Sequence, residues 1–197
     1  FLSESLTDYQ FNAASVDKLG NIWLGSLLNG ILHINNANNL ISRKPIETNV
    51  LNANSSFLRV SCFYQSDDQG CWVGTFNKGF LQFNLEQNPF QYYNAGQNQQ
   101  YGLKSDEILR AVEFDKNRVY VTSFGGGVSL INTKSGVFEP MPFYFAPANV
   151  SYSSVLYVDS RNNTWIRTGG QIGIIAASKS NTNFKPIKHR SYPGLSN

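Results

Sequence analysis

The stretch of sequence that decides the fold reads Asp17-Lys-Leu-Gly-Asn-Ile-Trp23-Leu-Gly-Ser26, and after three residues it continues as Gly30-Ile-Leu-His-Ile34. Three later stretches, which begin at Asp67, Asp115 and Asp159, repeat the same order of an acidic turn, an aromatic anchor, a short polar gap and a second apolar run. Their anchors are Trp72, Tyr120 and Trp165, at successive spacings of 49, 48 and 45 residues. A nearly constant period of this length indicates a repeat architecture, in which each unit is one supersecondary element.

Each repeat predicts four short strands, because its apolar runs are short and are separated by Gly, Asn and Asp. We expect the first strands at 10–16, 58–65, 108–114 and 152–158. Asp, Asn and Gly then supply a turn, and the aromatic anchor follows on the second strand. No segment of the sequence sustains a helical period of apolar residues.

Four-stranded repeats with this period are typical of β-propeller blades. We therefore predict an all-β chain in which four four-stranded antiparallel blades form a partial β-propeller. It is expected to be a single domain over residues 1–197, with blade repeats at about 6–50, 54–94, 105–145 and 149–190. The four anchors are expected to lie between the blades, where an aromatic ring buries about 150–250 Å².

The composition excludes several classes of function. Only 15% of the 197 residues are charged, and the net charge of +3 is dispersed without a Lys or Arg block, so no nucleic-acid partner is expected. No apolar run is long enough to cross a bilayer. His33, His189, Cys62 and Cys71 lack the spacing of zinc ligands, so neither a metal nor another cofactor is expected. The two cysteines flank a predicted hairpin turn, where a disulfide and two buried thiols both remain open.

The ends of the chain suggest its origin. It opens at Phe1, and Met141 is its only methionine, so we expect an excised piece of a longer protein or a processed product. A four-blade piece would leave two terminal blade faces uncovered. The sequence therefore predicts either an open arc or a homodimer in which two chains cover each other's exposed blade faces.

The cassette Asp17–Ser26 with Gly30-Ile-Leu resembles the two-component regulator propeller repeat, and blade two matches that repeat through Gly70–Thr75. Tyr120 in place of Trp, and Arg167 in place of Gly, depart from the pattern. The repeat is typical of the periplasmic sensor domains of Bacteroides-type hybrid two-component systems, which combine a histidine kinase with a response regulator.

The resemblance implies a periplasmic segment of an inner-membrane receptor that senses an oligosaccharide derived from a glycan. Such a receptor transduces the signal through a downstream histidine kinase and regulates transcription of polysaccharide-utilisation genes. Neighbouring propeller blades of the receptor would contact this segment. The resemblance assigns the segment no catalytic residue, so it is expected not to be an enzyme.

Two other functions stay open at this point. One is a propeller enzyme that acts on glycans as a hydrolase or a lyase, and the other is a propeller that binds a protein. Glycoside hydrolysis needs two convergent carboxylates. Asp106 and Glu107 are neighbours in one loop and are expected to cap it instead.

In a propeller, the loops between the second and third strands and the loops between blades share one face around the central channel. Flat aromatic rings on that face suit the apolar faces of sugar rings, while polar groups provide specificity. The candidate ligand-binding residues are Arg59, Phe76, Lys78, Tyr101, Arg110, Phe124 and Tyr152. The alternative for each of these residues is that it packs or caps a long loop.

Arg110 is the most specific of these candidates. It lies five residues before the repeat Asp115, at a position where the other blades have Asn12, Cys62 and Ser154. Small or polar residues there predict a channel-facing position on the innermost strand. An arginine in that position either binds an acidic sugar or forms an ion pair with Glu113 or Glu107.

Overall fold

The computed structural model is all-β throughout the residues that it describes, apart from one 3₁₀ turn at Ala95–Gln97. The described residues are 10–38, 41–44, 58–66, 70–84, 91–97, 100–141, 153–168, 171–175 and 185–186. Within them, sixteen strands form four antiparallel sheets of four strands each.

Each sheet is one blade, and strands that follow each other in the chain are neighbours in the sheet. Blade one contains β1 (Phe11–Val16), β2 (Ile22–Ser26), β3 (Ile31–Ile34) and β4 (Ile41–Lys44). Blade two contains β5 (Val60–Gln65), β6 (Gly70–Thr75), β7 (Phe80–Asn84) and β8 (Gln91–Tyr93). Blade three contains β9 (Ile108–Asp115), β10 (Arg118–Ser123), β11 (Gly127–Asn132) and β12 (Phe138–Glu139). Blade four contains β13 (Ser154–Val158), β14 (Thr164–Thr168), β15 (Gln171–Ile175) and β16 (Lys185–Pro186).

The first strands of successive blades contact one another: β1 contacts β5, β5 contacts β9, and β9 contacts β13. These four strands are therefore the innermost strands of the arrangement, and the fourth strand of each blade lies at its outer edge. This is the architecture of β-propeller blades, so the predicted fold class is confirmed. The predicted first strands agree with the observed ones to within two residues at each end.

Three of the four aromatic anchors fill the layers between blades. Trp23 packs in a cluster with residues of blade two, Trp72 with residues of blade three, and Tyr120 with residues of blade four. All three side chains are almost completely buried, whereas Trp165 of blade four is only half-buried. The prediction that the anchors lie between blades is therefore confirmed for the three that have a following blade among the described residues.

The residue two positions after each anchor sets how closely the next blade approaches. A Cβ at Gly25 would overlap the Val60 side chain, and one at Gly74 would lie 2.5 Å from Cys62 Sγ and 2.8 Å from Ile108 Cγ2. Blade three has Thr122 at this position, and the Thr122 hydroxyl accepts a hydrogen bond from the Val155 backbone N–H at 3.3 Å. The contact thus changes from close packing in blades one and two to a hydrogen bond in blade three.

The turn between the first two strands of blade one is organised by Asp17. Asp17 Oδ2 accepts hydrogen bonds from Trp23 Nε1 and Asn21 Nδ2, both at 3.0 Å. Asp17 Oδ1 accepts the backbone N–H groups of Leu19 and Asn21 at 3.0 and 2.9 Å. In blade four, Asp159 repeats this arrangement with the corresponding groups of Arg161, Asn163 and Trp165.

Blade two has a different residue at the position of Asp17. The Ser66 backbone N–H donates to the Gly70 carbonyl at 2.8 Å, as the Asp17 N–H donates to the Asn21 carbonyl at 3.0 Å. Aligning Asp67 with Asp17 by residue type is therefore wrong by one position. The Ser66 hydroxyl donates to the Gly70 carbonyl as well, at 2.9 Å.

The two cysteines are free thiols. Cys62 lies opposite Gly74 in the β5–β6 ladder, and Cys71 lies opposite Gln65, so the thiols occupy opposite ends of the hairpin. This register excludes the disulfide that the sequence left open, because the two Cβ atoms do not face each other. Burial raises the pKa of the Cys71 thiol to about 12.

Candidate functional site

One edge of the blades is defined by the turns between their second and third strands. In three of these turns, the backbone N–H of the first residue donates a hydrogen bond to the backbone carbonyl of the residue just before the first strand of the same blade. The three pairs are Leu27 to Gln10 at 3.1 Å, Phe76 to Arg59 at 2.9 Å, and Phe124 to Glu107 at 2.8 Å. We call this edge the loop face, defined by residues 27–29, 76–78 and 124–126 together with residues 10, 59 and 107.

Short side chains fix the shape of the turns on the loop face. The Ser26 hydroxyl accepts the backbone N–H groups of Leu28 and Asn29 at 3.1 and 3.0 Å. In blade two, the Thr75 hydroxyl accepts the Lys78 N–H at 2.8 Å and donates to the Gly79 carbonyl at 2.9 Å. These bonds satisfy backbone groups that a turn would otherwise expose, so the residues at the turns are held in defined positions.

The structure brings Arg59 and Phe76 together. The Arg59 guanidinium carbon lies 5.7 Å from the centroid of the Phe76 ring, a cation–π distance. Arg59 is exposed, Phe76 is half-buried, and Lys78 is half-buried in the same turn. The aromatic ring therefore supports the guanidinium, and one ring face of Phe76 is taken by Arg59.

Arg110 lies on β9, opposite Thr122 of β10. Its Nη1 donates to the Leu156 carbonyl on β13 at 3.4 Å, so the side chain bridges the first strands of blades three and four. Arg110 is exposed. Among the described residues it forms no ion pair with Glu107 or Glu113, so that sequence-based alternative for its role is wrong.

The register shows which residues of the other blades correspond to Arg110. Cys62 lies opposite Gly74 and Ser154 lies opposite Arg167, as the sequence predicts. The corresponding residue of blade one is not Asn12, because β1 has an irregularity between Phe11 and Ala13 that places Ala13 opposite Gly25. The Asn12 amide instead donates to the Val60 carbonyl of blade two at 3.2 Å.

Tyr101 and Phe124 present large exposed ring surfaces, with exposed fractions of 43% and 54%. Phe124 lies in the β10–β11 turn. Tyr101 lies in the segment before β9, which is anchored by the buried Leu103 and by a hydrogen bond from the Ser129 hydroxyl to the Gly102 carbonyl at 3.3 Å. Tyr152 lies outside the described residues.

Asp106 and Glu107 end the loop that precedes β9, and Glu107 belongs to the loop face. Asp106 Oδ1 accepts the Ala95 N–H at 2.7 Å, and the Asp106 carbonyl accepts the Gly79 N–H at 2.8 Å. The predicted capping role of Asp106 is thereby confirmed. Glu107 occupies in blade three the place of Arg59 in blade two, so the loop face carries both signs of charge. The sequence signal that could have identified Glu107 as a residue of the loop face is its position just before the first strand of its blade.

Two further observations concern metals and membranes. Within the described residues there is no group of three or more His, Cys, Asp or Glu side chains that could hold a metal ion. In the same part of the chain, no helix has the length and apolar character needed to cross a membrane.

No protein-family model matches this sequence, and no curated protein matches it either. Solved structures do share the fold. The extracellular domain of the hybrid two component system BT3049 from B. thetaiotaomicron superposes with a TM-score of 0.67 at 19% identity, over 92% of this chain and 25% of that one. The extracellular domain of the one component system BT4673 from the same organism gives 0.67 at 19% identity, over 94% and 23%.

Virginiamycin B lyase from Staphylococcus aureus is also similar, with a TM-score of 0.64 at 20% identity over 94% of this chain and 57% of the lyase. The chain thus spans about a quarter of the two extracellular domains and just over half of the lyase. At these identities the likeness establishes the propeller fold alone.

Proposed function

We propose that this chain is a ligand-sensing segment from the periplasmic part of a hybrid two-component sensor, and that its loop face binds an oligosaccharide derived from a glycan. The receptor would carry the signal to a downstream histidine kinase and so control polysaccharide-utilisation genes. Two observations support this proposal. The repeat cassette resembles the regulator propeller repeat, and the fold is shared with extracellular domains from B. thetaiotaomicron.

The observation that carries the proposal is a pair of supported arginines near the loop face. Arg59 is held over the Phe76 ring, and Arg110 is held by the Leu156 carbonyl. Both are exposed, and neither forms an ion pair with an acidic residue in the described part of the chain. A guanidinium in a fixed orientation loses little side-chain entropy when it binds a hydroxyl, carboxylate or sulfate group.

The exposed rings complete the chemistry that a sugar needs. The Phe76 ring is already in contact with Arg59, so Tyr101 and Phe124 are the rings with more surface for the apolar face of a pyranose. Apolar contact area combined with a few placed polar groups is typical of small-ligand sites. Lys78 and Tyr152 belong to the same proposal as further polar and aromatic contacts.

The test begins with a glycan array on the purified chain, followed by calorimetry with the strongest oligosaccharide from the array. Arg59→Ala and Arg110→Ala should each weaken binding by roughly 10-fold or more, because each removes hydrogen bonds from a charged donor. Arg161→Ala is the matched control, since this exposed arginine lies in the turn at the opposite edge of blade four. Equal affinity for all three variants would remove the arginine pair from the site.

A lyase is the second candidate function, because the lyase from Staphylococcus aureus has the same fold with a TM-score of 0.64. His33 is a poor catalytic group, since its side chain is only 7% exposed and lies 4.4 Å from the Trp23 ring. His189 lies outside the described residues. Release of unsaturated or reducing sugar from a glycan that binds would replace the sensor proposal with an enzyme.

A further inference from the structure

The turns between the second and third strands have the same length in blades one to three, but the turn of blade three has a different conformation. Each turn places three residues between a hydroxyl-bearing residue and a glycine. These pairs are Ser26 and Gly30, Thr75 and Gly79, and Ser123 and Gly127. In blades one and two the hydroxyl accepts the backbone N–H of the third turn residue, at 3.0 Å from Asn29 and 2.8 Å from Lys78. In blade three the corresponding N–H, that of Gly126, donates to the Ser123 carbonyl at 3.3 Å instead.

One backbone dihedral angle accounts for the difference. Gly125, the second turn residue of blade three, has a φ of +69°, whereas Leu28 and Asn77 at the same position do not have a positive φ. A positive φ at this position is typical of a type II turn, in which the central peptide is reversed relative to a type I turn. The Gly125 N–H therefore points away from the Ser123 hydroxyl, whereas the Leu28 N–H donates to the Ser26 hydroxyl at 3.1 Å.

The type II turn leaves the Ser123 hydroxyl without a partner. Ser123 is 2% exposed, and its Oγ forms no hydrogen bond with any of the described residues. Gly126 covers it, since a Cβ at Gly126 would overlap Ser123 Oγ and lie 2.9 Å from the Ser105 backbone nitrogen. A buried hydroxyl without a partner is costly. The stability of the turn alone therefore does not explain its conformation, and an unsatisfied buried group of this kind calls for a functional explanation.

The reversed peptide lies in open surroundings on the loop face. Gly125 is exposed, and its N–H forms no hydrogen bond within the part of the chain that the structure describes. A Cβ at Gly125 would meet no atom within 4 Å. The adjacent Phe124 ring is 54% exposed. The turn thus presents a backbone donor next to an exposed aromatic ring, with space around both.

We propose that the Gly125 N–H is a ligand-binding donor, which binds an oxygen atom of the oligosaccharide while the Phe124 ring packs on the sugar. This inference rests on the proposed function of the loop face. The type II turn directs the N–H toward the ligand, and the Ser123 hydroxyl loses its hydrogen bonds as a consequence. The turn of blade one is unsuited to this role, because the Leu28 N–H is bound to the hydroxyl of its own turn. A placed backbone N–H beside an apolar surface is a typical source of ligand specificity.

The first measurement tests the turn of the 197-residue chain without any ligand. Ser123→Ala should leave the melting temperature unchanged or raise it, because the hydroxyl has no hydrogen bond to lose. Ser26→Ala is the matched substitution, since the Ser26 hydroxyl accepts two backbone N–H groups. It should lower the melting temperature by about 2–4 °C. Equal losses for the two variants would overturn the proposal, because the Ser123 hydroxyl would then accept the turn N–H groups in solution.

The second measurement tests the ligand contact on an array of neutral, uronate-containing and sulfated oligosaccharides. Gly125→Ala should reduce the affinity for the bound glycans roughly 10-fold, because alanine is strained at a φ of +69° and the turn then adopts the conformation of blade one. Gly125→Asn should retain most of the affinity, since asparagine tolerates a positive φ. Asn162→Ala is the matched control, because Asn162 has a φ of +59° in the turn at the opposite edge of blade four.

The outcomes separate this proposal from the function on which it rests. Glycans that bind the unsubstituted chain and Gly125→Ala equally well would overturn the contact with Gly125 but leave the sensing function intact. Equal losses of affinity for Gly125→Ala and Gly125→Asn, or a loss for Asn162→Ala, would also contradict the proposal, because the type II turn would then not be what the glycan requires. An array without any bound glycan would overturn the proposed function and the contact together.

Discussion

The turns that precede the anchors of blades one and four differ from the turn of blade three in what the aspartate binds. Asp17 and Asp159 each accept a hydrogen bond from the indole N–H of their own anchor, at 3.0 and 3.1 Å. Asp115 instead accepts the Arg118 guanidinium, which lies 4.5 Å over the Phe114 ring. The anchor of blade three is a tyrosine, which has no indole N–H to offer.

The difference shows that the aspartate's hydrogen bonds within the turn do not depend on its hydrogen bond to the anchor. In all three blades one aspartate oxygen accepts backbone N–H groups of the turn. The other oxygen binds whichever donor the following residues supply. Blade two goes further, because Ser66 replaces the aspartate and Trp72 Nε1 has no hydrogen-bond partner among the described residues. Trp72 is nevertheless fully buried, so ring burial is the dominant contribution of an anchor.

The largest effect is therefore expected from Trp72→Ala. The Trp72 ring is stacked on Phe80 and Tyr93, with centroids 5.2 and 5.6 Å away. Its removal should lower the free energy of unfolding by about 3–5 kcal/mol, as for other buried large side chains. Urea unfolding followed by far-UV circular dichroism measures this loss. Val137→Ala, at an exposed position, should stay within about 0.5 kcal/mol of the unsubstituted chain. Comparable losses in the free energy of unfolding for Trp72→Ala and Val137→Ala would contradict the conclusion that ring burial is the dominant contribution of an anchor.

The sequence predicted the blades well because their determinants are local. The period, the turn residues and the alternation of apolar residues specify strands and anchors without reference to distant contacts. Residue type misaligned one position and counting misaligned another, however. Asp67 matches Asp17 in type, but the backbone hydrogen bond to Gly70 gives that place to Ser66. Asn12 matches by counting, but the irregularity in β1 gives the place to Ala13.

The candidate site was predictable only as a set of residues on one edge. The turns between second and third strands had to share that edge, so Phe76, Lys78 and Phe124 followed from topology. The contact of Arg59 with Phe76 and that of Arg110 with Leu156 depend on rotamers and on how neighbouring blades pack. A linear pattern of residue types does not contain that information.

A smaller effect is expected from replacing the indole while keeping an aromatic ring. Trp23→Phe removes the N–H that Asp17 accepts, whereas Trp72→Phe removes a buried N–H that has no partner in the described residues. An unsatisfied buried donor is itself costly, so its removal offsets part of the lost packing. Trp72→Phe should therefore cost about 1 kcal/mol less than Trp23→Phe in urea unfolding.

Asp17→Ala in the Trp23→Phe background should cost less unfolding free energy than in the unsubstituted chain, because the hydrogen bond between Asp17 and the indole is already gone. Independent, additive losses would show that the indole and Asp17 are not coupled.

The smallest effect is expected in the response of the two kinds of turn to acid and salt. The Asn163 side chain is the main cause that lowers the pKa of Asp159 to about 2, with help from the N–H groups of Asn163, Trp165 and Arg161. Burial has the largest single effect on the pKa of Asp115 and raises it, but the hydrogen bonds from Arg118 and from the Asn117 N–H, together with the Arg118 charge, outweigh burial and lower the pKa overall. Both carboxylates thus have a lower pKa in the folded state than in the unfolded state. Their stabilisation is present above the ordinary aspartate pKa of about 4 and is lost as the pH falls through the lowered pKa of each group, which is about 2 for Asp159.

Melting temperatures between pH 6 and pH 2 should consequently fall less steeply for Asp159→Asn and for Asp115→Asn than for the unsubstituted chain. Salt separates the two. Asp159 accepts its bonds from neutral groups, whereas Asp115 forms an ion pair with a partly exposed arginine. At pH 6, about 1 M NaCl should reduce the destabilisation caused by Asp115→Asn, because salt screens exposed charge pairs over about 3 Å at that concentration. It should leave the destabilisation caused by Asp159→Asn nearly unchanged. If salt changed the destabilisation caused by Asp115→Asn and by Asp159→Asn equally, the charge of Arg118 would add nothing to its turn beyond what the neutral donors add in blade four.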